Sequence, residues 1–64
     1  MSKELFQIRE SLINVVEFYS NREYNGKKLS KPQREQLTEV RDRLLCFGKF
    51  GILWAGIATE ILSA

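Results

Sequence analysis

The sequence predicts an all-α protein: an antiparallel helical hairpin with a long second helix, assembling into a helical-bundle homo-oligomer. Three observations carry that expectation. Apolar residues recur at helical spacing through the first twenty residues. A heptad runs through the second half, with Leu37, Leu44, Gly51 and Ala58 at a and Val40, Phe47, Trp54 and Ile61 at d. Beyond residue 45 the opposite side turns apolar too, with Cys46, Phe50, Leu53 and Ile57. A helix apolar on two faces needs two partners, which one short chain can hardly supply.

The first helix is expected over residues 3–20. Leu5, Ile8, Leu12, Val15, Val16 and Tyr19 form its stripe, widened by Phe6 and Ile13, and Lys3, Glu4, Gln7, Glu10, Asn14 and Glu17 cover the other side. Residues 21–30 contain Asn-Gly and no apolar period, so they read as a turn. Ser30 then opens the second helix as N-cap, with Gln33 completing a capping box and Pro32 in the first turn.

That second helix is expected over residues 31–62, the whole chain 1–64 forming one hairpin domain. Gly48, Gly51 and Gly56 each cost about 1 kcal/mol relative to alanine in a helix interior. A break at Gly48 giving three short helices is therefore the competing reading. Continuity is favoured because the heptad passes Gly48 without a phase change. At 1.5 Å per residue the first helix spans roughly 27 Å and the second roughly 48 Å, leaving the most apolar part uncovered within the hairpin. The expected oligomer interface is Cys46, Phe50, Gly51, Leu53, Trp54, Ile57 and Ile61, with Gly51, Ala55 and Ala58 as a small-residue strip for close helix approach.

Size points the same way. A chain of 64 residues buries only about 60% of its unfolded surface, and its core is marginal. One cysteine excludes an intrachain disulfide, and a lone thiol with no histidine excludes a zinc cage, so no metal and no cofactor are expected. The opening stretch MSKELFQIRE is charged and amphipathic, unlike a signal peptide, making a cytoplasmic location the default. Lys49 and Glu60 bracket only FGILWAGIAT, ten residues, against roughly 20 for a membrane span. No membrane partner is expected.

Charge is unevenly placed. The chain has a net charge of +2, yet residues 21–34 hold Arg22, Lys27, Lys28, Lys31 and Arg34 against Glu23 alone, a local +4. With the N–H groups of the second helix nearby, this end suits a phosphate or carboxylate, and Tyr19 and Tyr24 are placed to stack on a base. An anionic nucleotide or nucleic acid is one expected ligand; a solvated turn and a surface for an acidic protein are the alternatives. Arg9 falls inside the apolar stripe of the first helix. A buried guanidinium needs a partner, either an acid such as Glu39 or Asp42 or a ligand phosphate, unless it snorkels to the rim. Without histidine, a Gly-rich phosphate loop or a cysteine paired with a base, no catalysis is expected.

The segment LWAGIATE, Leu53–Glu60, following QREQLTEVRDRLL, resembles the end of the hairpin domain in phage anti-CBASS and anti-Thoeris sponge proteins, where a similar Met-Trp-Ala stretch closes the second helix. The resemblance covers about eight residues and the overall hairpin size. Only Trp54 and Ala55 carry over, as packing residues; the chain departs from the pattern at Gly48, Phe50 and Gly51, where that family tends to carry Glu and Ala. The resemblance implies a non-enzymatic phage protein of immune evasion, an oligomer that sequesters cyclic nucleotide signals in pockets between subunits. The expected ligand-binding set comes from the charge cluster, its flanking tyrosines and Arg9, not from the resemblance: Tyr19, Arg22, Tyr24, Lys27, Lys28, Lys31, Arg34 and Arg9. The rival expectation is an inhibitor or adaptor that captures a host protein with its apolar second helix.

Overall fold

The computed structural model describes residues 2–21 and 28–63. Three helices pack together: α1 (Lys3–Ser20), α2 (Lys31–Leu45) and α3 (Ile52–Ser63), with a single 3-10 turn at Gly48–Phe50 between the last two. Among the described residues there is no strand.

The helix starts follow their caps. Ser2 accepts the Leu5 N–H at 3.1 Å on its hydroxyl. Ser30 accepts the Gln33 N–H at 3.3 Å, and the Gln33 side chain accepts the Ser30 N–H at 2.8 Å, so the capping box is complete. Pro32 sits in that first turn, where its missing N–H does no harm.

The expected helix over residues 31–62 is broken, and the shorter alternative with a break at Gly48 is the one observed. Gly48 adopts φ +59°, a left-handed conformation that ends a helix and that residues with a β-carbon enter at a cost. The N–H groups of Cys46 and Phe47 donate to the carbonyls of Arg43 and Leu44 at 3.1 Å each, tightening the end of α2. Gly51 then passes directly over α2: a β-carbon there would lie 2.1 Å from the Leu44 carbonyl oxygen. The chain turns back, and Ala55 N–H donates to the Gly51 carbonyl at 2.9 Å as α3 begins.

The reversal overturns the length argument for an uncovered apolar tail. α3 packs along α2 and α1, and the molecule measures 36 × 18 × 17 Å, shorter than the helix expected for residues 31–62 alone. The heptad positions nevertheless face inward. Leu37, Val40, Leu44, Gly51 and Ala58 are buried, while Phe47, Trp54 and Ile61 are half-buried against the core. α1 contributes Leu12, Ile13, Val16 and Tyr19. Ala55 and Ala58, at 1% and 0% exposure, bring α3 close, so the small-residue strip serves a contact within the chain. Each large side chain buried here contributes about 1.5–3 kcal/mol.

The helices alternate in direction. Tyr19, near the end of α1, reaches Gln36 near the start of α2; Arg34 at the start of α2 reaches Leu62 at the end of α3. One end of the bundle therefore gathers the start of α1, the end of α2, the 3-10 turn and the start of α3. The other gathers the remaining three termini. No helix among the described residues is long and apolar enough to cross a membrane.

Candidate functional site: a basic end and an apolar end

At the basic end, Lys28 and Lys31 are exposed, while Arg22, Tyr24 and Lys27 lie outside the described residues. Arg34 is exposed too, but its Nη2 donates to the Leu62 carbonyl at 2.9 Å, capping the last turn of α3. The start of α2 has little left to offer an anion. Gln33 N–H is taken by Ser30, Pro32 has no N–H, and Arg34 N–H donates to the Ser30 carbonyl at 2.9 Å. Of the first-turn donors only that of Lys31 remains for a ligand.

Tyr19 does not belong to a stacking platform. It is 5% exposed, its hydroxyl donates to Gln36 Oε1 at 2.6 Å, and Phe18 meets it edge-on at 5.4 Å. The ring packs in the core and its polar tip bolts α1 to α2. Its place in the α1 stripe was the stronger of two sequence signals.

Arg9 lies at the opposite end from Lys28 and Lys31. Its side chain is 22% exposed and stands 3.9 Å from Glu10, and its Nε donates to the carbonyl of Phe50. Neither acid expected from the sequence is the partner: Glu39 pairs with Arg43 at 2.9 Å and Asp42 with Arg41 at 3.0 Å. Arg9 fastens α1 to the 3-10 turn through a backbone carbonyl, a partner that a search for opposite charges does not reveal.

The expected interface residues also divide. Gly51 is buried under α2, and Trp54, Ile57 and Ile61 pack against the chain's own core. Cys46, Phe50 and Leu53 remain exposed. Phe50 and Leu53 belong to a larger group at the end where Arg9 meets the turn. Of the eight large hydrophobic residues exposed among the described ones, seven lie there: Leu5, Phe6, Ile8, Leu45, Phe50, Ile52 and Leu53. Phe18 alone lies toward the other end. Leu45 and Ile52 were missed as surface residues because a continuous helix places them on its flanks, whereas a reversal puts them on its outer corner.

A shallow groove of about 490 Å³ on α2 is lined by Lys31, Arg34, Glu35, Thr38, Glu39 and Asp42. Two cations face three carboxylates there, so the groove has no single sign with which to select an anion. Among the described residues no cluster of His, Cys, Asp and Glu is placed to hold a metal ion. Comparison with family models, curated proteins and solved structures gives no match to this chain.

Proposed function

We propose that this chain is a non-enzymatic protein-interaction module, in the class of small inhibitors or adaptors, and that it works through its apolar end. The observation that supports this reading is the segregation of exposed apolar side chains. Seven large ones crowd the end that Arg9 and Phe50 hold together, while Lys28, Lys31 and Arg34 occupy the other. Scattered exposed hydrophobics are ordinary; their concentration at one end of a bundle, with exposed lysines at the other, supports a binding surface there.

A photo-crosslinking amino acid placed at Phe50, and in a second variant at Glu17, tests this in the source cells. Adducts are expected from position 50 and none from position 17. The reverse pattern, or silence at position 50, removes the reading.

A second reading keeps the phosphate-bearing ligand and is favoured by the exposed Lys28 and Lys31 at the end where residues 21–34 carry their +4. The resemblance to phage sponges belongs to this reading. Calorimetric titration with cyclic dinucleotides and trinucleotides tests it; absence of heat eliminates a sponge. If nucleic acid is the ligand, affinity falls steeply with salt, with a slope set by the phosphates neutralised.

A further inference from the structure

We infer that this chain can exchange α3 with a second copy: residues 46–51 straighten, α2 and α3 become one helix, and each α3 packs on the α1 and α2 of the other chain. The second copy is selected by packing already described, because the surfaces that meet between the chains are those that meet within one. No new face is required. Tyr19 keeps its bond to Gln36 within the chain, and the carbonyl that Arg34 caps at Leu62 is then supplied by the other copy.

The phase of the heptad points to this state. Leu37 and Leu44 before the turn, and Gly51 and Ala58 after it, are all buried and all seven apart. A reversing turn leaves α3 free to rotate about its own axis, so the closed chain does not need one phase on both sides. A straight helix does need it. With a drift of only about 20° per heptad, a helix that turns its α2 part toward the α3 of another copy also turns its own α3 part toward that copy's α2. Two such helices lie antiparallel about a twofold axis at the hinge, as α2 and α3 lie within one chain.

The hinge is held by contacts that only the reversal makes. Gly48 takes φ +59°, and a β-carbon there meets nothing within 4 Å, so the obstacle to another residue is conformation alone. Gly51 is pressed against the Leu44 carbonyl; in a straight helix seven residues are about 10 Å apart along the axis, and that contact is gone. The Phe50 carbonyl accepts Arg9 Nε in the closed chain. In a straight helix the Trp54 N–H claims it, so Arg9 acts as a latch on the closed form.

Refolding from denaturant at increasing chain concentration, followed by sedimentation velocity, tests the exchange. The wild-type chain is expected to refold as single chains when dilute and to give a rising share of dimer when concentrated. Gly48→Ala should lower the dimer dissociation constant by at least about a hundredfold, since alanine disfavours the left-handed turn and favours the helix in both chains. Gly48→Asn tolerates the turn and should change it by less than about tenfold. Gly56→Ala, helical in both states, should leave it unchanged. Spin labels on Lys31→Cys and Ser63→Cys, in a Cys46→Ser chain diluted into unlabelled protein, separate exchange from association of closed chains. The two positions share one end of the closed bundle but lie about 48 Å apart on a straight helix. The long distance is expected in the dimer. A Gly48→Ala chain that stays single at every concentration, folded or not, overturns the inference, as does a dimer that keeps the short distance.

Discussion

Gly51 lies against the Leu44 carbonyl so closely that any β-carbon would sit 2.1 Å from the oxygen. This contact lets the start of α3 cross the last turn of α2. Gly51→Ala should destabilise the protein by about 2–4 kcal/mol, because the obstructing atom is backbone and cannot rotate away. Gly56 provides the control: a β-carbon there meets nothing within 4 Å, and Gly56→Ala should stabilise by about 0.5–1 kcal/mol through helix propensity. Denaturant unfolding of the two variants should move in opposite directions.

Arg9 joins α1 to the 3-10 turn through the Phe50 carbonyl. Arg9→Met keeps most of the side chain's apolar length and removes the donor. A loss of about 1–2 kcal/mol is expected in chemical denaturation. Glu10→Gln should have little effect, since its 3.9 Å pair with Arg9 is partly exposed. Equal losses in the two variants would show that the ion pair, rather than the carbonyl bond, fastens this end.

Tyr19→Phe should lower stability by about 1 kcal/mol, through loss of the 2.6 Å bond to Gln36. Because the ring is buried, the substitution should leave any titration with cyclic nucleotides unchanged. A selective loss of nucleotide binding with unaltered stability would return Tyr19 to the ligand set.

Arg34→Ala removes the 2.9 Å bond to the Leu62 carbonyl. Amide hydrogen exchange in the last turn of α3 should accelerate by about threefold to tenfold, with little change at Val16 or Leu37 in the core. Lys31→Ala should show no such effect. The comparison separates a capping arginine from a lysine that only contributes charge.

The beginnings of the helices were legible in the sequence because their chemistry is local. Ser30, Pro32 and Gln33 announce the start of α2 within four residues, and α1 occupies residues 3–20 as its stripe predicts. The reversal was harder to read, since the a and d positions keep facing the core on both sides of it. Leu44 and Gly51 stand seven apart whether the backbone continues or turns back. The three glycines marked the risk, but only the approach of Gly51 to the Leu44 carbonyl shows which of them is needed for packing. The basic cluster was visible as charge. That Arg34 gives one donor to the Leu62 carbonyl and Arg9 one to the Phe50 carbonyl was not, because a distant backbone acceptor leaves no mark in the sequence.

The close spacing of α2 and α3 along the chain also sets an order of events during folding. Their packing needs only the short connection through Gly48 and Gly51 to close, whereas α1 must find its place across the segment that precedes Ser30. Local contacts form before distant ones because less chain entropy is lost in making them. The α2–α3 pair is thus the expected nucleus, onto which α1 docks last. Truncating Leu44 should mainly slow refolding, and truncating Val16 should mainly hasten unfolding. On this ordering, the Arg9–Phe50 and Tyr19–Gln36 bonds act after the rate-limiting step and govern how long the native chain survives between openings.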